Sequence, residues 1–236
     1  MSEQREKISN SLSTAELLHL TEIVAHKIKN PLHSVGLNLD VLKTKIKKRI
    51  LENPEDILKH ADIIGAEFQR LNDIVHTFID YLKPAAQSQT LIKVPDLLKE
   101  VYQTLKLKMA QPKVVVQVDS SSRLPSIRVN KEEIHQALVN IALNGIEAMS
   151  HGGKLVIRAK ADKDKVFIEV VDSGPGIAEG ERDKIFDLYY TTRKGRIGMG
   201  LPLARRWVEA NGGRINVKCQ EGHGSIFTMV FPVARE

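Results

Sequence analysis

The residues whose types and spacing point most directly to chemistry lie between positions 172 and 201. The segment DSGPG at 172–176 follows an apolar run that reads as a strand. A carboxylate at a strand end can accept the amino group of a purine, and glycines let the backbone approach a flat ring. Three glycines and three basic residues then precede a predicted helix: Gly195, Gly198, Gly200, Arg193, Lys194 and Arg196. Amides at such a helix start bind phosphates, so the whole stretch, more than the common turn DxGxG alone, predicts a nucleotide site.

A predicted helix over 131–149 carries a second set of polar side chains. Its apolar positions are Ile134, Ala137, Leu138, Ile141, Ala142 and Met149, and its other side carries Glu133, Gln136, Asn140, Asn144 and Glu147. A polar stripe is usually a solvated surface. Asparagine is nevertheless a poor residue inside a helix, and two of them one turn apart indicate neutral oxygen ligands. A magnesium ion on a nucleotide needs only one or two such ligands.

These residues need elements to position them, and the first third of the chain is predicted to be helical. Apolar residues recur at helical spacing from about Thr14 to Asn53 and again from Ile57 to Leu82. Pro31 lies inside the first run and is expected to bend it. The pattern predicts an antiparallel helical hairpin over 14–84, after a tail at 1–13. Two copies would complete a four-helix bundle as a homodimer, and a monomeric hairpin packed on the C-terminal domain is the alternative.

The rest of the chain reads as a linker at 85–90 and a mixed domain at 91–236. We predict a helix near 95–110, strands near 113–119 and 126–129, and a helix near 131–149. Strands near 154–161 and 165–172 follow, then a glycine-rich stretch, a helix near 200–211 and strands near 214–219 and 225–232. The fold class is therefore α+β multidomain, with a helical hairpin followed by a sheet covered by helices.

Composition limits the function classes. Residues 1–90 hold 12 basic and 12 acidic residues, so the whole net charge of +6 comes from residues 91–236. Aromatic content is 5%, and no basic cluster is interleaved with aromatic residues, which argues against a nucleic-acid partner. A polyphosphate ligand explains the asymmetry equally well. Cys219 is the sole cysteine, and no signal peptide or membrane segment is recognisable, so a cytoplasmic protein is expected.

Together these segments resemble the catalytic domain of sensor histidine kinases, an α/β sandwich of the histidine kinase/gyrase/Hsp90 ATPase type. The resembling motifs are LVNIALNGIEAM (N box), DSGPGIA (G1 box), IFDLYYTTR (F box), GMGLPLARRWVEANGG (G2 box) and the closing GHGSIFTMVFP. The resemblance implies ATP and Mg²⁺ as ligands, with Asn144 on the metal and Asp172 on adenine. It also places on the nucleotide Asn140, Gly174, Gly176, Lys194, Gly198, Met199, Gly200, Leu201 and Ser225. Asn140 stands where ATP-hydrolysing relatives keep a glutamate, and an amide cannot activate water.

The family's G2 box usually carries a denser glycine run than the one present here. Arg196 and Ile197 occupy part of it, and the lid between Thr192 and Gly198 is very short. We expect nucleotide binding to survive both departures.

The hairpin carries five of the eight histidines, and His19, His26 and His33 share one helical stripe. A histidine on such a stripe is more often packing than chemistry. The segment AHKIKNPL, however, resembles the H box of the dimerisation domain of the same family. The resemblance implies that His26 is the phosphoacceptor and that Asn30 positions water in phosphatase turnover. Neutral imidazole is a workable nucleophile near pH 7.

Lys27 departs from the family pattern, which places an acidic residue after the histidine. Lysine has three donors and no acceptor, so it cannot hydrogen-bond an imidazole N–H. A lost general base typically costs ~10²–10⁴ in rate. Slow autophosphorylation is therefore expected. Glu22, one turn before His26, either orients the ring instead or is an exposed charge.

The resemblance implies that the chain phosphorylates His26 from ATP and passes the phosphoryl group to an aspartate of a response-regulator receiver domain. Two alternatives stay open: an ATP-binding regulatory pseudokinase, motivated by Lys27, and a receiver phosphatase, for which Asn30 would be retained. No sensor domain is recognisable in the sequence. Either a sensor portion is missing or the signal arrives through a separate sensor protein.

Overall fold

The structure is a computed structural model that describes residues 14–47, 54–83, 88–108, 113–121, 123–193, 196, 198–219 and 221–234. The chain divides into two compact units, Met1–Pro84 and Ala85–Glu236. The predicted tail at 1–13 lies outside the described residues, as does Lys194.

The described residues of the first unit form the predicted hairpin of two long helices, α1 (Thr14–Lys47) and α2 (Pro54–Leu82). Pro31 lies inside α1 without ending it. Leu20 and Val24 of α1 and Ile74 of α2 are buried, because they lie on the stripes that the two helices turn toward each other. Asn38 and His60 join the helices through a 2.7 Å hydrogen bond between Oδ1 and Nδ1.

A second set of apolar side chains on the hairpin is exposed. They include Leu32, Leu37, Leu39 and Ile46 of α1 and Leu58, Phe68 and Ile79 of α2. Leu32, Leu39 and Ile46 recur every seven residues and so lie along one stripe of α1, and an exposed apolar stripe is typical of an association surface. The hairpin therefore buries one stripe by itself and leaves another uncovered.

In its described residues the second unit contains three α-helices and seven strands. In chain order these are β1 (Thr90–Ile92), α3 (Val94–Lys108), β2 (Val114–Ser120), β3 (Ile127–Val129), α4 (Lys131–Ala148), β4 (Gly153–Ala161), β5 (Lys165–Asp172), α5 (Gly200–Ala210), β6 (Arg214–Cys219) and β7 (Ser225–Pro232). Two 3₁₀ turns lie between β5 and α5, at Glu179–Glu181 and Lys184–Phe186. The longer elements agree with the predicted ranges to within two residues at either end.

Five strands form one sheet in the order β2-β4-β5-β7-β6, in which only β2 and β4 run parallel. Side chains on one face, such as Ile157, Ile168 and Phe227, join α3, α4 and α5 in a single core. Successive residues of a strand point to opposite faces, so the alternating burial along β4 and β7 marks one covered face and one open face. This is the predicted α/β sandwich.

One short strand was missed by sequence analysis. Thr90, the last residue of the predicted linker, begins β1 and pairs with Val129 of β3 in a separate two-stranded sheet. A strand of three residues is too short for alternation to distinguish it from a loop.

Candidate functional site

The nucleotide site predicted around Asp172 lies where β5 ends. Asp172 pairs in register with Ser225, the first residue of β7, on the neighbouring strand. Both residues are buried, with 7% and 5% of their surface exposed, on the covered face of the sheet. The Oδ1 atom of Asp172 accepts a 2.9 Å hydrogen bond from the amide of Gly174. The predicted residues Asp172, Gly174 and Ser225 therefore form one polar group beneath α4.

Close glycine packing holds this group together. A Cβ atom added to Gly145 of α4 would lie 3.1 Å from Cβ of Asp172 and 3.0 Å from Cδ1 of Leu155. A Cβ atom on Gly224, which has φ of +84°, would lie only 2.0 Å from the Asp172 carbonyl oxygen. No side chain fits at Gly224, and α4 approaches the strand closely because Gly145 has none. Neither glycine was singled out from the sequence, because nothing in their local pattern shows which strand they will meet.

Burial raises the pKa of the Asp172 carboxyl above its ordinary range. Hydrogen bonds from the Gly174 amide and from the amide and hydroxyl of Ser225 oppose this shift, and so does the positive charge of Arg193. The result is a desolvated carboxylate with several donors already in place. Such a group is suited to accept a hydrogen bond from a ligand N–H that can reach it.

The two asparagines of α4 lie on its half-buried side, facing neither the core nor open solvent. The Asn140 amide donates a 3.4 Å hydrogen bond to the carbonyl oxygen of Gly200, the first residue of α5. The side chain of Asn144 has no hydrogen bond within the described part of the chain, so its amide oxygen remains available as a ligand. That availability fits the predicted magnesium role of Asn144, whereas the Asn140 contact links α4 to α5.

Arg193 lies directly beside Asn144. Its Nη2 atom donates a 3.1 Å hydrogen bond to the Asn144 carbonyl oxygen, and its Nη1 atom lies 3.3 Å from a carboxylate oxygen of Glu147. The other carboxylate oxygen of Glu147 pairs with Arg196. Lys194, predicted to contact phosphate, lies outside the described residues. The basic group that the structure brings to Asn144 is Arg193, which the sequence had marked only as one cation of the loop.

The G2-box residues form the start of α5. Met199 precedes the helix and is buried, Gly200 begins it, and Leu201 is half-buried against the core. Gly198 has φ of +75°, and a Cβ atom there would lie 2.5 Å from the backbone carbon of Tyr189. The Tyr189 amide donates a 2.9 Å hydrogen bond to the Gly198 carbonyl. Gly198 is thus required by contact with the F-box backbone, and Gly176 also has positive φ.

The excess positive charge has a different location from the one that the polyphosphate explanation implies. Six basic and two acidic side chains project from the open face of the sheet: Lys154, Arg158, Lys160, Lys165, Arg214, Lys218, Asp119 and Glu169. Glu169 is paired there with Arg158 at 2.6 Å and with Lys160 at 2.8 Å. Most of the net charge of +6 is therefore on this face, while Asp172 and Ser225 lie on the covered one.

The predicted phosphoacceptor region lies on α1 of the hairpin. His26, Glu22 and Asn30 are exposed, one turn apart, and Lys27 is half-buried on the adjoining side of the helix. Within the described residues, none of these four side chains makes a hydrogen bond or an ion pair. The structure thus gives His26 access to other molecules, and it shows no contact between Glu22 and the imidazole ring.

Two family models match the chain. The His Kinase A (phospho-acceptor) domain matches residues 16–87, and the Histidine kinase-, DNA gyrase B-, and HSP90-like ATPase domain matches residues 129–235. The first covers the hairpin with His26, and the second covers α4, the Asp172 strand and the G2 box.

Curated relatives are similar to the chain over nearly its whole length. The chain is 31% identical over 218 residues to the sensor histidine kinase ZraS of Salmonella typhi, covering 91% of this chain and 45% of the relative. It is 32% identical over 233 residues to sporulation kinase D of Bacillus subtilis (strain 168), covering 98% and 45%. The chain thus spans less than half the length of these relatives.

A solved structure of histidine kinase ThkA in complex with the response regulator protein TrrA is similar over 98% of this chain and 64% of that chain. Its TM-score is 0.75 and its sequence identity 29%. The order of the two domains, their motifs and these similarities define the class: the chain belongs to the sensor histidine kinases. None of the described helices is long and apolar enough to cross a membrane.

Proposed function

We propose that the chain is an ATP-dependent protein histidine kinase that phosphorylates His26 and transfers the phosphoryl group to a response-regulator aspartate. The observation that carries the proposal is that one chain holds both a desolvated carboxylate, Asp172, packed against Gly145, the residue after Asn144 in α4, and an exposed histidine in an H-box segment. The first arrangement suits nucleotide binding, and the second suits acceptance of a phosphoryl group. We expect this activity in the cytoplasm.

Asp172 would read the adenine base. Its ionised carboxylate accepts a hydrogen bond from the exocyclic amino group, which guanine lacks at that position. The donors from Gly174 and Ser225 keep the carboxylate oriented before the base arrives, so little reorganisation is needed on binding.

Asn144 would hold Mg²⁺ with its amide oxygen, and the ion would neutralise charge on the ATP phosphates. Asn140 lacks an acidic group, so this chain has no carboxylate at the position where ATP-hydrolysing relatives keep one. The arrangement favours phosphoryl transfer to a side chain over transfer to water. Positioning and charge neutralisation are the main demands of such chemistry.

His26 would act as the nucleophile in its neutral form. A ring nitrogen forms the bond to the γ-phosphorus, the bond to the ADP oxygen breaks, and the proton on the other ring nitrogen leaves to solvent. Lys27 cannot accept that proton, which is the reason for expecting a slow reaction. The exposure of His26 favours its later reaction with an aspartate of a receiver domain. ThkA, a similar kinase, was solved in complex with a response regulator.

The exposed apolar side chains of α1 and α2 support a homodimer through the hairpin. Two hairpins that cover these side chains form a four-helix bundle, which removes apolar surface from water on both copies. Light scattering of the purified chain tests this directly. A mass of two copies is expected, and a mass of one copy at micromolar concentration contradicts the dimer.

The central experiment is incubation of wild type and His26→Ala with γ-labelled ATP and Mg²⁺. Phosphohistidine is acid-labile and survives alkali, so label lost in acid and absent from His26→Ala is expected. A labelled aspartate on an added receiver domain should then appear as the histidine label declines. Nucleotide binding without acid-labile label on His26 contradicts the kinase proposal.

A further inference from the structure

A carboxylate and two arginines form a compact charge cluster at one end of the nucleotide site. Glu147 lies on α4, three residues beyond Asn144, and its two oxygens pair separately with Arg193 and Arg196. The side chains of Glu147 and Arg193 are 27% and 32% exposed, whereas that of Arg196 is 57% exposed. Glu147 and Arg193 are therefore less solvated than Arg196.

Arg193 is anchored at two points. One terminal nitrogen contacts Glu147, and the other donates to the backbone oxygen of Asn144. A guanidinium has five N–H donors in a planar fork, so both anchors together leave donors free on the same group. These donors lie beside the residue expected to bind Mg²⁺ and within the electrostatic reach of Asp172. If Asn144 holds the Mg²⁺ of MgATP, as proposed above, the free donors of Arg193 lie on the phosphate side of the site.

Ordinary surface ion pairs lack this arrangement. Arg205 and Glu209 on α5 pair at 2.8 Å with side chains 51% and 52% exposed, one turn apart on the same helix. Such a pair contributes little, and the other contact of Arg205 is with the ring of Phe186, whose centroid lies 5.3 Å from its guanidinium carbon. Glu147 instead links α4 to residues distant in sequence, and its arginine partner also holds a backbone carbonyl. The difference indicates that Glu147 orients a functional group.

We propose that Arg193 is a phosphate-binding residue of the nucleotide site and that Glu147 is the positioning residue that anchors it beside Asn144. This inference rests on the proposed function and names two residues of the same site. Arginine binds phosphate in bidentate fashion, which lysine does not. Glu147 holds the fork in place before nucleotide arrives, which reduces the ordering cost of binding.

Titration of MgATP and of adenosine into wild type and Arg193→Gln distinguishes an effect on phosphate binding from an effect on base binding. Loss of a charge-assisted hydrogen bond should weaken MgATP binding about 10- to 100-fold. Adenosine binding should stay within about twofold, because it has no phosphate and Asp172 is retained. Arg205→Gln and Glu209→Gln are the matched controls and should bind both ligands as wild type does.

Glu147→Gln tests the anchor. It should weaken MgATP about three- to tenfold in the wild-type background and leave adenosine unchanged, since only the orientation of Arg193 is lost. In the Arg193→Gln background the same change should have no further effect, because residues that act through one another are not additive. Circular dichroism of each variant confirms that the fold is retained.

Three results overturn the inference: equal MgATP affinity of wild type and Arg193→Gln, equal losses of MgATP and adenosine affinity in that variant, or tighter MgATP binding by Glu147→Gln. The last would make Glu147 a competitor of phosphate for the arginine. If wild type labels His26 and Arg193→Gln still binds MgATP with normal affinity, the inference about Arg193 is wrong and the proposed kinase function stands. Wild type that binds no nucleotide removes the proposed function as well.

Discussion

The two functional regions of this chain are built in opposite ways. Around Asp172 the carboxylate is 7% exposed, donors from two neighbouring residues face it, and glycines allow backbone and helix to close on it. Around His26 the helix face is exposed, and within the described residues the imidazole has no hydrogen-bond partner. The Asp172 region is ordered by contacts within its own unit, whereas the His26 region presents an exposed imidazole.

The difference follows from what each region must do under the proposed function. Recognition of a base by hydrogen bonds is strong only where water is excluded, so a specific pocket needs burial. A phosphoacceptor must instead meet a phosphate donor and then a receiver aspartate, so it must remain accessible. The comparison predicts that substitutions near Asp172 change nucleotide affinity, and that those near His26 change phosphoryl transfer with binding unchanged.

The largest effect is expected from Asp172→Asn. The change keeps the size of the side chain but replaces an ionised acceptor with an amide, so ATP affinity should fall ~100-fold, the equivalent of losing a charged hydrogen bond of about 3 kcal/mol. Calorimetric titration with MgATP measures it. Ser173→Ala, in the same turn, is the control and should have a small effect. Unchanged affinity of Asp172→Asn would remove Asp172 from base recognition.

On the acceptor side, Lys27→Glu should increase the rate of acid-labile labelling at least ~10-fold, because it supplies a carboxylate able to accept a ring proton. ATP affinity should stay the same. Lys29→Glu changes net charge equally at a nearby exposed position and should show no such gain. If both variants gain label alike, the increase is electrostatic and general-base catalysis at position 27 is wrong.

Glu22→Gln in the same assay decides the remaining hypothesis for the imidazole ring. Because Glu22 lies one turn from His26 on the same helix face, a carboxylate that orients the ring would be essential in the absence of an acidic residue at position 27. Loss of label in this variant supports that role. Unchanged labelling identifies Glu22 as an exposed charge.

Two helical glycines, one in each unit, are expected to give smaller effects of opposite sign on the free energy of unfolding. Gly145→Ala should lower the free energy of unfolding of the second unit by about 1–2 kcal/mol, since its Cβ must displace Leu155 or Asp172. Gly65→Ala in α2 meets nothing within 4 Å and should stabilise the hairpin by ~0.5–1 kcal/mol through better helix propensity. Thermal unfolding measures both, and a destabilised Gly65→Ala would contradict the open surface at that position.

The smallest effect concerns the dependence of stability on pH. Burial raises the pKa of Asp172, so ionisation of this group costs stability, and the cost appears as pH rises through its folded pKa. Asp172→Asn should therefore unfold at the same or a slightly higher temperature than wild type at pH 7. This difference should shrink as pH falls through the raised pKa. A variant clearly less stable than wild type at pH 7 would mean that lost hydrogen bonds outweigh the relief of desolvation.

Sequence patterns predicted most of the fold because the helical spacing of apolar residues and the alternation along the strands were both strong. The helical spacing of apolar residues fixed the hairpin, and alternation with well-placed turns fixed β4 to β7. The G1 box and the closing motif were both expected at the adenine, and the register of β5 and β7 sets Asp172 opposite Ser225, while the nucleotide role of these residues stays a prediction. Strand β1 was missed because three residues carry no periodic signal.

Other features depended on contacts between distant segments. The sequence marked Arg193, Lys194 and Arg196 alike as cations of one loop, and only the fold brings Arg193 against the Asn144 carbonyl and Glu147. In the same way, the sequence allowed a polyphosphate ligand to explain the excess positive charge of residues 91–236, much of which comes from basic residues of β4, β5 and β6. Their alternation in fact carries them to the open face, away from Asp172.

By itself the sequence determined the order of the elements, the membership of the family and the identity of the residues able to do chemistry, because each depends on local patterns and ordered motifs. Only the tertiary structure decided which of those residues meet. Gly224 and Gly145 make room for a buried Asp172, Glu147 anchors Arg193, and His26 is left exposed on its helix. Burial and contacts between distant segments of the chain set the charge and reactivity of these side chains, and both arise only when the segments pack together.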